Sequence, residues 1–172
     1  MPKRIIFPGR GEVVLENFTL PPLGPKDVRI KTRYSLMSAG TELTILNQKY
    51  DADTHFAKRF SFPQLKTGIQ AVGDIEEKGR EVKNLKIGDR VFMRMAHGSH
   101  QVIPASNCTV VPNTVNPKEA CWCGLAKTAF RAAWAGEFAA LEQVLIIGAG
   151  PVGQMTIRWA KIFSTKAILV ND

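Results

Sequence analysis

The first hundred or so residues carry their apolar positions in short runs punctuated by turn residues, the pattern of strands with one face buried. Such runs occur at Ile5-Ile6-Phe7, from Glu12 to Leu20, from Asp27 to Thr32 with alternating character, from Gly68 to Glu77, from Asp89 to Met93 and from His100 to Pro104. Pro21-Pro22-Leu23-Gly24-Pro25 must be a loop, because prolines remove ladder donors, and Gly88-Asp89 supplies turn chemistry. A helix is read as starting near Gly40. Many short strands with few helices predict a small barrel or sandwich.

Beyond Pro112 the spacing becomes helical. Asn116-Pro117-Lys118-Glu119 reads as a capped helix start, and Ala126 to Ala135 carries apolar residues at helical spacing. A different unit follows: a strand from Leu141 to Ile147, a turn over Gly148-Ala149-Gly150-Pro151-Val152-Gly153, a helix from Gln154 to Phe163 and a second strand from Lys166 to Val170. This is the opening of a parallel β-α-β array, whose strands are expected to be buried on both faces and so to lack alternation. The organisation is therefore read as a mostly-β domain over 1–115, a connecting helical segment over 116–140 and the start of a nucleotide-binding unit over 141–172.

Composition narrows the function classes. With 45% hydrophobic and 22% charged residues in 172, the chain has an ordinary globular make-up. No run approaches the roughly 20 apolar residues of a bilayer-spanning helix, and Met1-Pro2-Lys3-Arg4 does not open a signal peptide, so a cytoplasmic location is the default expectation. Cys108, Cys121 and Cys123 form no even-numbered framework and read as reduced thiols. The net charge of +8 is spread along the chain without interleaved aromatics, which argues against a nucleic-acid partner.

The sharpest chemical signal is the glycine turn. Gly148, Gly150 and Gly153 follow an apolar strand and open a helix, and Asp172 closes the next strand at about the 20-residue offset of a dinucleotide fingerprint. Gly148 permits the tight turn, Gly150 lets the backbone approach a pyrophosphate, and Gly153 lets helix and strand pack closely. With Pro151 and Val152 these are the candidate cofactor-binding residues of the turn, where the helix offers free N–H groups and the positive end of its dipole. Asp172 would accept hydrogen bonds from the adenosine ribose and repel a 2′-phosphate, which predicts NAD(H) over NADP(H). The plain alternative is a strand-helix turn with a surface aspartate.

A barrel-like first half followed by this fingerprint resembles the medium-chain dehydrogenase/reductase superfamily of zinc-type alcohol dehydrogenases and their relatives, in which a GroES-like domain precedes a Rossmann domain. Leu85-Lys86-Ile87-Gly88-Asp89-Arg90-Val91 looks like the family's Gly-Asp-Arg-Val turn, Ser38-Ala39-Gly40-Thr41-Glu42 is similar to its Cys-Gly-Ser/Thr-Asp segment, and Gly68-Ile69-Gln70-Ala71-Val72-Gly73 to its Gly-His-Glu segment. The implied fold is mixed α/β, a GroES-like mostly-β barrel followed by the first β-α-β of a Rossmann fold. A doubly wound fold needs about six strands, so this reading has the sequence ending inside that fold, with weak nucleotide binding and poor turnover expected of the 172 residues alone.

The resemblance also implies which chemistry is missing. Ala39 stands where zinc-dependent members have cysteine, Ile69 where they have histidine and Gln70 where they have the acid; only Cys123 falls where a third ligand would. Methyl and alkyl groups cannot replace thiolate or imidazole donors, so no catalytic metal is expected. His97 and His100 could in principle join Cys123, but they read better as surface histidines. Thr41 matches the family's proton-relaying hydroxyl, or alternatively caps the helix near Gly40. Glu42 is a candidate to hydrogen-bond substrate, or decorates the first helical turn. His97 is a candidate acid/base by its chemistry. Thr128 resembles the threonine near the nicotinamide, or is a helix-surface threonine, while Trp122, Cys123 and Phe130 read as packing residues.

Three functions stay open: a zinc-free NAD(H)-dependent alcohol or polyol dehydrogenase acting on a small molecule, a quinone- or enone-type reductase, and a catalytically silent module that keeps the fold. The family resemblance implies a homodimer or homotetramer for the full-length protein.

Overall fold

The structure is a computed structural model that describes every residue except Gln64, Ser164 and Asp172, with Ala167 described through its backbone. It divides into two compact units, Met1–Cys121 and Trp122–Asp172.

The first unit is built on a five-stranded antiparallel sheet in the order β7-β3-β5-β6-β8, from β3 (Asp27–Ser35), β5 (Ala71–Lys78), β6 (Arg90–Met93), β7 (His100–Pro104) and β8 (Cys108–Val110). Val28 and Ile30 of β3, Ala71 and Ile75 of β5, Val91 and Met93 of β6 and Ile103 of β7 form its buried core with Val82 and Leu85. These are the inward positions of strands that alternate, which is why the pattern was readable. Two register shifts bend β3 against β5, between Arg29 and Ile30 and between Thr32 and Tyr34. A second sheet, in the order β2-β1-β4, comprises β1 (Lys3–Phe7), β2 (Val14–Asn17) and the short β4 (Leu65–Lys66).

Four described elements of this unit lie outside the sequence reading: β4, β8, the helix α2 (His55–Arg59) and a 3₁₀ turn at Ala105–Asn107. All are two to five residues long, too short for a period to show. The strand expected over Glu12 to Leu20 shrinks to Val14–Asn17, because among the described residues it pairs with β1 alone, over four residues. Helix α1 runs Ala39–Leu46, one residue earlier than expected, and α3 (Pro117–Ala120) starts where its cap predicted, the Asn116 side chain accepting a hydrogen bond from Lys118 N–H at 2.9 Å.

In the second unit α4 (Cys123–Ala135) and α5 (Pro151–Ile162) pack on each other, and β9 (Gln143–Ile147) pairs in parallel with β10 (Ala167–Asn171). Phe130 stacks among Trp134, Trp159 and Phe163, and the Trp159 indole donates to the Ala126 carbonyl at 2.8 Å. Phe130 is thus a packing residue, as read. The expectation of strands buried on both faces is corrected: Val144 and Ile146 are buried, but Leu145 and Ile147 are 60% and 78% exposed. Helix α5 covers one face of β9, and no described element of this unit covers the other. No helix among the described residues is long and apolar enough to cross a membrane.

Candidate active site

The polar centre of the first unit is assembled by the loop that joins β6 to β7. His97 N–H donates to the Thr67 carbonyl at 2.7 Å, Ile5 N–H donates to the His97 carbonyl at 3.2 Å, and Ser99 N–H donates to the Lys3 carbonyl at 2.7 Å. The loop is thereby tied to β1 and to the segment after β4. Gly68 is what permits this: its φ is +111°, and a Cβ there would stand 2.5 Å from the His97 nitrogen.

Helix α1 supplies the partner. Glu42 sits in its first turn and reaches back to the helix entrance, where Ser38 N–H donates to Glu42 Oε1 at 2.7 Å. Its other oxygen, Oε2, meets His97 Nε2 at 2.9 Å, and His97 Nδ1 lies 2.8 Å from the Ser35 hydroxyl at the end of β3. Glu42 is 3% exposed and His97 5%. Burial pushes the Glu42 carboxyl upward, but the hydrogen bond to His97, the Ser38 N–H and the attraction of the His97 ring outweigh it and hold the group below its ordinary value of 4.5. The Thr67 hydroxyl adds to that lowering from nearby, though its oxygen has no partner in full hydrogen-bond geometry among the described residues.

Several sequence readings change here. His97 is not a surface histidine but a buried one, because the loop ties fold its ring inward against α1. Glu42 does not decorate the helix surface. Thr41 is not the helix cap: the cap position is Ser38, and the exposed Thr41 hydroxyl lies 3.5 Å from that of Ser38. Ser35 escaped the sequence reading altogether; it stands 62 residues from His97, and no local spacing signals such a contact. His100 is a surface-side group as expected, 2.9 Å from the Ser99 hydroxyl and 3.7 Å from Glu76.

Ala39 and Ile69, two of the positions matched by resemblance to zinc ligands, carry no donor side chain. Ala39 lies one turn before Glu42 on α1, and Ile69 follows the glycine packed on His97. Among the described residues no three His, Cys, Asp or Glu side chains gather as a metal-holding group. Cys123 is exposed, while burial raises the Cys121 thiol and pushes that of Cys108 up to about 11, so the latter two stay protonated at neutral pH. Gln70 is 1% exposed, and neither its carboxamide oxygen nor its nitrogen has a hydrogen-bond partner among the described residues. Gln70→Met is therefore expected to stabilise the first unit by about 1 kcal/mol, read as a raised denaturation midpoint at unchanged slope; an equal loss would show that the amide is satisfied.

In the second unit the glycine turn has the form its sequence predicts. Gly148 adopts φ +97°, Gly150 is the N-cap of α5 with Pro151 at its first position, and a Cβ on Gly153 would fall 1.9 Å from the Gly148 carbonyl oxygen. A Cβ on Gly150 would meet nothing within 4 Å, so the approach to the helix N-terminus is open. Val152 is exposed on the first turn. Thr128 is an exposed residue of α4 whose hydroxyl donates to the Gly124 carbonyl at 3.1 Å, and Asp172 lies outside the described residues.

Comparison with known proteins decides the family. Residues 24–152 match the alcohol dehydrogenase GroES-like domain. The chain belongs to the alcohol dehydrogenase GroES-like family. Its membership places it in the medium-chain dehydrogenase/reductase superfamily that the sequence motifs resembled. Relatives of this GroES-like chain include sorbitol dehydrogenase from Arabidopsis thaliana, 28% identical over 195 residues that cover 95% of the chain and 52% of the relative. L-threonine 3-dehydrogenase from Photorhabdus laumondii is also 28% identical, over 182 residues covering 88% and 51%. The alcohol dehydrogenase TADH from Thermus sp. ATN1 superposes with a TM-score of 0.82 at 21% identity, covering 99% of this chain and 57% of that one, a likeness of fold. The chain spans about half the length of the curated relatives it matches.

Proposed function

We infer that this GroES-like chain forms part of an NAD(H)-dependent oxidoreductase that interconverts a small-molecule alcohol, of the polyol or other secondary class, with its carbonyl compound without zinc. The observation that carries the reading is the buried Glu42–His97 pair beside Ala39 and Ile69: an acid/base couple stands next to the two positions where metal ligands have given way to apolar side chains. Sorbitol and threonine dehydrogenases among the relatives support the alcohol class.

Oxidising an alcohol removes a hydride from carbon and a proton from oxygen. When bound, the dinucleotide takes or gives the hydride. The backbone N–H groups at the start of α5 would hold its pyrophosphate, Gly150 leaving room for the approach. Asp172, at the offset from the glycine turn that a dinucleotide fingerprint has in sequence, would favour NAD(H) through the ribose hydroxyls, and Thr41 and Thr128 remain candidates to line the substrate and the nicotinamide. The proton falls to His97, whose ring is held by a carboxylate kept ionised. Full-length homo-oligomer and cytoplasmic location complete the proposal.

Calorimetric titration of the full-length protein with NADH and NADPH, together with metal analysis, tests it. NADH is expected to bind at least about tenfold more tightly than NADPH, with no stoichiometric zinc. Glu42→Gln should lower kcat for alcohol oxidation by about 10²-fold while leaving NADH affinity unchanged. Tighter NADPH binding, or one zinc per chain, would overturn the reading.

A further inference from the structure

We propose that the Ser35 hydroxyl is the port through which the buried Glu42–His97 pair exchanges a proton with the bound alcohol and with water. The identity of the proton donor rests on the oxidoreductase reading above; the arrangement of the groups does not.

Both ring nitrogens of His97 are engaged, Nε2 by Glu42 Oε2 at 2.9 Å and Nδ1 by Ser35 Oγ at 2.8 Å. An ionised carboxylate only accepts, so Nε2 must carry a hydrogen. In the neutral ring Nδ1 is then the lone-pair nitrogen, and Ser35 O–H donates to it. The ring is 5% exposed and Glu42 3%, whereas Ser35, at the end of β3, is an exposed residue. Ser35 therefore gives the buried ring an exposed hydroxyl hydrogen-bonded to Nδ1. Thr41 offers no such route, because its hydroxyl meets only that of Ser38, and Ser38 touches Glu42 through its backbone N–H.

During oxidation the alcohol proton moves to Ser35 Oγ as the proton already on that oxygen moves to His97 Nδ1. The hydride that leaves the carbon as the C–O bond becomes a carbonyl would be taken up by an oxidised dinucleotide, when bound. The serine hydroxyl is regenerated, and the new imidazolium lies against the Glu42 carboxylate, which stabilises it. After product release the proton returns through Ser35 to water.

The test combines Ser35→Ala and Ser35→Thr in the full-length protein, with thermal unfolding to confirm that both fold. In Ser35→Ala, the ¹⁵N signal of His97 Nδ1 is expected to move to that of a nitrogen without a hydrogen-bond donor. kcat for alcohol oxidation should drop by about 10²-fold with KM within twofold, and Ser35→Thr should restore both. Unchanged Nδ1 signal in Ser35→Ala, or unchanged kcat, overturns the proposal. Should the wild type oxidise no alcohol, the dehydrogenase reading fails on its own, and the ring-nitrogen signal still reports whether Ser35 holds His97.

Discussion

Gly153→Ala is expected to remove about 3 kcal/mol or more from the second unit. Its Cβ would sit 1.9 Å from the Gly148 carbonyl oxygen and 3.0 Å from the carbonyl carbon, and both belong to backbone that cannot swing aside. Relief requires α5 to lift off β9, which strips the contacts of Thr156 and Ala160, both buried on that helix. The three tryptophans, Trp122, Trp134 and Trp159, all lie in this unit, so their fluorescence reports its unfolding separately from the first. Gly150→Ala is the matched control. Its φ of −64° suits any residue and its Cβ meets nothing within 4 Å, so stability should change by less than about 1 kcal/mol. Nucleotide affinity should nonetheless fall, since the methyl fills the approach to the helix N-terminus. Equal stability losses in the two variants would refute the close-packing role of Gly153.

His97→Leu is the second large effect. It leaves Glu42 ionised, 3% exposed and without its ring partner, and breaking a buried pair from one side costs about 3–5 kcal/mol. For the wild type the sign is fixed by the direction of the Glu42 shift. A carboxyl held below its ordinary 4.5 contributes stability that is present above that pH and is lost as pH falls through the lower folded value. In His97→Leu the burial that raises the Glu42 carboxyl is no longer offset by the ring, so the group takes up a proton at higher pH than in the wild type. The deficit is accordingly largest at neutral pH and shrinks toward acid. Urea unfolding of both proteins at pH 7 and at pH 4 checks this; a deficit independent of pH would mean that the loss is one of packing alone.

These two sites differ in how far the sequence disclosed them. The turn at Gly148, Gly150 and Gly153 was legible because each glycine answers a local demand, and local demands leave their mark at fixed spacing. Strands such as β3 were legible for the same reason: Val28 and Ile30 alternate with Asp27, Arg29 and Lys31 within five residues. The Ser35–His97–Glu42 array was not, since its members lie on β3, an interstrand loop and α1, and meet only when two sheets are tied together. His97 read as a surface residue because its neighbours Gly98 and Ser99 are turn-forming and polar, while the groups that bury it are far along the chain. The missing zinc donors at Ala39 and Ile69 could be named only through family resemblance, as alanine and isoleucine carry no signal of what they replace.

The ties between the β6–β7 loop and the first strand also set an order of events during synthesis. Lys3 and Ile5 find their backbone partners at Ser99 and His97, more than ninety residues later. At about 5–20 residues per second, β1 waits some 5–20 s on the ribosome before that loop emerges, with β2 and later the two-residue β4 to pair with. Glu42 likewise waits for a histidine 55 residues downstream. Long-range closures of this kind come late and slowly. The acid/base pair is thus among the last things the nascent first unit acquires, and a chain whose loop has not yet docked carries the residues of the site without the site.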